Sequence, residues 1–140
     1  MATERQLQVM ARHYLIAALW ADCEEGTHPR ETRQARAYAL DACRAFVAAI
    51  GPLFDEAMAR HAEGYGKHSD CGNDEPACAA MGHDLWLTSR GHGTGFWGRD
   101  ALARGDLGER LSSFCGWRAK GNGPGEPCAY QYRGWFYIQG

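Results

Sequence analysis

The sequence has no apolar run approaching the roughly 18 residues that cross a bilayer. Its opening MATERQLQVM also lacks the charged-then-apolar pattern of a secretory signal, so the expected setting is cytoplasmic and away from membrane. No charge of one sign dominates: 15 Lys and Arg stand against 17 Asp and Glu, a formal net charge of -2. Without a basic field to neutralise phosphates, general nucleic-acid binding is not expected. A G-x-S-x-G elbow, a P-loop and an H-E-x-x-H pair are all missing. Gly91-His92-Gly93-Thr94-Gly95 does not supply a phosphate loop either, because it falls between two aromatic segments instead of opening a helix. No longer-period repeat is present.

What remains, 140 residues with 45% hydrophobic and 23% charged, suits one folded domain spanning 1–140. Composition changes along it: 13 of the 18 glycines and four of the five tryptophans lie in the last 59 residues, while the first part is rich in Ala, Leu, Glu and Arg. That contrast predicts a helical part (1–62), an irregular cysteine-bearing loop (63–82) and a strand-rich part (83–140). Thr3 with Gln6 forms a capping-box pattern before an amphipathic helix over about 4–24, with Gly26 placed to end it. A second helix fits 31–50 and Gly51-Pro52 breaks it, after which 53–62 supports a short third. The short first connection predicts an antiparallel pair.

In the C-terminal part, 85–88 and 95–97 flank Gly91-His92-Gly93 as a first hairpin, 107–114 reads as a short helix, and 129–132 with 135–138 bracket Arg133-Gly134 as a second hairpin. The expected fold is therefore α+β: the N-terminal antiparallel helix pair packed on a small antiparallel sheet of two hairpins with an intervening short helix.

The stretch Gly82-His83-Asp84-Leu85-Trp86-Leu87-Thr88-Ser89-Arg90-Gly91-His92-Gly93-Thr94-Gly95-Phe96-Trp97 resembles the signature GHDFWLTRNGHGAGFWD of a family of small bacteriophage and mobile-element proteins without assigned biochemistry. Leu85 stands where the signature has Phe, Ser89-Arg90 where it has Arg-Asn, Thr94 where it has Ala, and Gly98 where it has Asp. Looser likeness extends to Ala18-Leu19-Trp20, to 43–46, to Leu107-Gly108-Glu109-Arg110-Leu111 and to the closing aromatic strands. The resemblance implies an origin in a mobile element in a bacterial cell. It also implies, by association with that class, a non-catalytic inhibitor of a host defence complex of the anti-CRISPR kind.

Three chemistries compete for these residues. Tyr, Trp and Arg are the residue types enriched at interface hot spots, and Trp86, Arg90, His92, Trp97, Arg99, Tyr132, Arg133 and Trp135 are the candidate partner-binding set. Their partner is a host defence protein or ribonucleoprotein, with a homodimer or a self-associating accessory phage protein as the alternative. Residues 83–140 carry seven basic against five acidic side chains, a mild positive bias. The rival is a small hydrolase or nuclease using His83, Asp84 and His92. On a strand, however, His83, Leu85, Leu87 and Ser89 share one face while Asp84, Trp86, Thr88 and Arg90 share the other. Of the six cysteines, Cys23 and Cys43 sit on apolar helix positions as free thiols. Cys71, Cys78, Cys115 and Cys128 are candidate ligands of a structural zinc with His68 as a substitute, against a Cys71–Cys78 disulfide or free thiols. The six residues between Cys71 and Cys78 are wider than the usual zinc spacing of about two to four.

Overall fold

The computed structural model describes residues 1–67 and 75–140. Helix α1 (Glu4–Asp22) starts at the expected box: Gln6 N–H donates to Thr3 Oγ1 at 3.1 Å and Thr3 N–H to Gln6 Oε1 at 2.9 Å. It stops at Asp22, before Gly26, with Cys23 in an extended conformation. Helix α2 (Arg33–Ile50) is capped by Thr32, whose hydroxyl accepts from Ala35 N–H and donates to the Phe136 carbonyl at 2.7 Å. One side chain thus both starts the helix and ties it to the C-terminal sheet. Helix α3 (Leu53–Ala59) follows the Gly51-Pro52 break and runs into a 3-10 turn over Arg60–Glu63. No single helix among the described residues is long and apolar enough to cross a membrane.

The first expected hairpin is absent, and a helix takes its place. Helix α4 (Pro76–Arg90) begins on a proline at its first turn and absorbs the segment 83–90. Gly91, at φ 70°, ends it in the left-handed conformation. Gly91 N–H reaches the Thr88 carbonyl and His92 N–H the Leu87 carbonyl at 3.0 Å, the paired bonds of a Schellman cap. Gly91-His92-Gly93 therefore closes a helix instead of turning a hairpin, and the expected loop over 63–82 gives way to helix from Pro76 onward. The physical reason is enclosure. Met81, Leu85, Trp86, Leu87 and Thr88 are all buried, so α4 is apolar on most of its circumference and shows no 3.6-residue repeat. A short continuous apolar run does not by itself distinguish strand from buried helix.

The second hairpin is present. β2 (Cys128–Tyr132) and β3 (Trp135–Gln139) pair antiparallel with Tyr132 opposite Trp135, across a two-residue turn in which Arg133 and Gly134 both have positive φ. β1 (Arg30–Glu31) adds to β3 in parallel, giving the order β1-β3-β2. The fold is mixed helix and sheet as expected, with one three-stranded sheet in place of two hairpins. Helix α5 (Leu107–Ser112) occupies the expected short-helix position.

The core forms where α1 crosses α4. Tyr14 meets Trp86 edge-to-face at 5.2 Å, and Phe46 stacks on Phe96 at 5.5 Å. Gly82 lies at the crossing, where any Cβ would overlap the Met10 carbonyl oxygen.

Candidate functional site

Strand alternation sorts the sheet into two chemistries. Phe136 and Ile138 point inward and are fully buried, whereas Cys128, Tyr130, Tyr132, Trp135, Tyr137 and Gln139 share the outer face. Tyr130 and Tyr137, direct cross-strand partners, stack at 4.9 Å. The Arg133 guanidinium lies over the Tyr132 ring at 5.2 Å, and Arg30, paired with Trp135 in the ladder, lies over that indole at 5.8 Å. Tyr132 is 58% exposed and no carboxylate occupies the outer face of the strands. Three of the expected partner-binding residues, Tyr132, Arg133 and Trp135, converge here. Arg30, Tyr130 and Tyr137 complete the face. A two-residue strand has too little pattern to reveal Arg30 in the sequence.

The remaining expected residues lie elsewhere. Trp86 is a correction: it is fully buried, because α4 turns it into the helix crossing, and its indole N–H donates to Asp22 Oδ2 at 2.6 Å. His92 Nε2 sits 2.7 Å from that same oxygen, and Arg90 lies 3.5 Å from Asp22 Oδ1 while donating to the Pro127 carbonyl at 3.1 Å. Asp22 thus gathers Trp86, Arg90 and His92 at the joint of α1, α4 and the lead-in to β2. These contacts fasten α1, α4 and the approach to β2 to one another. Trp97 is partly exposed, away from any aromatic partner among the described residues.

Arg99 belongs to a cleft of about 780 Å3, lined by His13 and Ile16 of α1, by Ala79, Ala80, His83 and Asp84 of α4, and by 63–67 and 98–101. At its floor the Asp84 carboxylate, 1% exposed, accepts from Arg99 Nε at 2.9 Å and Nη2 at 2.5 Å on Oδ1, and from the Tyr65 hydroxyl at 2.9 Å on Oδ2. The bond to Asp84 raises the Arg99 pKa further, while burial and then the neighbouring carboxylate push the Tyr65 phenol well above its ordinary value. Burial lowers the His83 pKa from its ordinary 6.5, disfavouring the charged ring, which lies 6.2 Å from that of Trp20. His83 and Asp84 share this cleft. His92 does not line it, and the three residues of the hydrolase reading are split between two places.

The cysteines are scattered. Cys78 points its thiol at Met58 Sδ and Glu75, Cys115 at the Leu111 carbonyl, and Cys128 stands on the exposed sheet face. Cys71 and His68 lie outside the described residues, and among the described residues no three His, Cys, Asp or Glu side chains cluster as a metal site. Burial pushes the Cys78 and Cys115 thiols up to about 12 and Cys43 higher still. Because the thiolate is the nucleophile, iodoacetamide is expected to modify Cys128 in the native protein and to reach Cys43, Cys78 and Cys115 only after unfolding. Peptide mass spectrometry checks this. Native modification of Cys78 at the Cys128 rate would show its helix to be open.

No family model matches the chain, and no curated protein and no solved structure matches it.

Proposed function

We propose that the protein is a non-catalytic binding protein that docks a protein partner through the outer face of its sheet. The likeness of residues 82–97 to a mobile-element signature makes a bacterial defence assembly, inhibited in the anti-CRISPR manner, the partner class to test first. The observation that carries the reading is the composition of that face: Tyr130, Tyr132, Trp135 and Tyr137 with Arg30 and Arg133 and no carboxylate, in a chain whose net charge is negative. Such aromatic and arginine anchors dominate interface energetics. The geometry also favours protein over nucleic acid. Base stacking needs free ring faces, and here the Tyr130–Tyr137 stack and the two guanidinium contacts take up one face of each ring. The guanidinium N–H groups beside the rings suit an apolar surface bearing carboxylates.

The test is the variant Tyr132→Ser, Arg133→Asp, Trp135→Ser, with Asp chosen because it tolerates the positive φ at 133. Two lost hot spots of about 2 kcal/mol each predict binding weakened by more than about 100-fold at an unchanged unfolding temperature. Affinity within a few-fold of wild type, measured by biolayer interferometry on the captured partner, would remove this face from the account. Recovery of the chain itself as partner would favour self-association through the same face.

A further inference from the structure

The cleft at His83 plays no part in sheet-face binding, and the groups it leaves unengaged are one-sided. Its volume, about 780 Å3, lies in the range of small-molecule sites. Two of the carboxylates lining it are already occupied: Asp84 by Arg99 and Tyr65, and Glu63 by Arg104 at 2.5 Å with Arg60 alongside. The donors are not. Arg99 directs Nε and Nη2 to a single oxygen of Asp84, so its Nη1 is outside that pair. Among the described residues the Lys67 ammonium and the His83 ring make no hydrogen bond, and of the described carboxylates lining the cleft the exposed Asp100 is the one left unengaged. Ile16, Ala79 and Ala80 add an apolar wall, and the exposed Trp20 indole stands beside His83.

A site in which Asp84 and Glu63 are satisfied while donors of Arg99, Lys67 and His83 are open is complementary to a ligand that brings acceptors. We propose that the cleft binds a small organic oxyanion with an apolar body, its charged end held by Arg99 and Lys67 and hydrogen-bonded by the His83 ring. Carboxylates and phosphate esters share this chemistry. The Asp84–Arg99–Tyr65 cluster fixes the guanidinium in place before the ligand arrives, which reduces the ordering that binding requires. It is also why Arg99 is unsuitable for the test: its substitution disturbs the fold.

Isothermal titration of the full chain with phenyl phosphate and with benzoate, repeated on Lys67→Glu and His83→Gln, decides the matter. Saturable binding is expected, with the affinity reduced about tenfold or more by Lys67→Glu, the loss of one charge-assisted contact replaced by repulsion. Binding of phenyl phosphate alone assigns the phosphate esters, and binding of benzoate alone the carboxylates. Absence of saturable binding by either up to about 10 mM, beyond the range of even a fragment-sized ligand, overturns the proposal. So does binding that Lys67→Glu leaves within about twofold, where a charge contact predicts tenfold. Because neither Lys67 nor His83 lies on the sheet face, failure here leaves the partner-binding reading standing, and the reverse holds too.

Discussion

Replacing Arg99 with leucine is expected to destabilise the protein by about 3–5 kcal/mol, more than replacing Asp84 with alanine does. The asymmetry follows from burial. Asp84 is 1% exposed, whereas the Arg99 side chain is 38% exposed. Removing the guanidinium strands a carboxylate out of reach of water, with only the Tyr65 hydroxyl to hold it. Removing the carboxylate leaves a guanidinium that can hydrate, so the cost falls to about 2–3 kcal/mol, much of it from the buried Tyr65 hydroxyl losing its acceptor. Asp84→Asn keeps an acceptor for Tyr65 and is expected to cost least of the three. Urea unfolding of the three variants measures the order directly. If Asp84→Ala proved the more damaging, the cluster would be held chiefly by something other than the pairing of a buried charge.

Substituting Gly82 with alanine is expected to cost about 3 kcal/mol despite alanine being the better helix former by about 1 kcal/mol. The new methyl would overlap the Met10 carbonyl of α1, which is backbone and cannot swing aside, so the two helices would have to separate along their whole contact. That contact carries Tyr14 against Trp86 and sets the register of His13 and Ile16 opposite His83. Gly98→Ala, where nothing lies within 4 Å of the added carbon, provides the comparison and is expected to change stability by no more than about 0.5 kcal/mol. Equal stability of the two variants would place the close approach elsewhere.

These two positions also show what can be read from sequence and what cannot. The ends of α1 and α2 were legible, because Thr3 with Gln6 and the Gly51-Pro52 break act within a few residues of themselves. The β2–β3 hairpin was legible for the same reason: Arg133-Gly134 supplies two positive φ angles between strong strand formers. α4 was not, since burial on nearly every side erases the periodicity on which a helix is recognised. The fastening at Asp22 joins residues 64 and 70 positions apart in the chain, and the Asp84–Arg99–Tyr65 cluster joins three separate segments. Pairings of that length carry no local signal. Of the expected binding residues, the three on the legible hairpin lie together on the outer sheet face, whereas Trp86, Arg90 and His92 on α4 and its cap make contacts within the chain through Asp22.

The most direct test of the sheet-face account is hydroxyl-radical footprinting of the protein, free and in the complex that the account expects in a bacterial extract containing active defence systems. The account expects Tyr130, Tyr132, Trp135 and Tyr137 to be oxidised in the free protein and protected in the complex, with Trp20 and Trp117, both more than 70% exposed, oxidised alike in each. Unchanged oxidation of the four sheet aromatics, with protection of Trp20 beside the His83 cleft instead, would contradict it and move the working surface to that cleft.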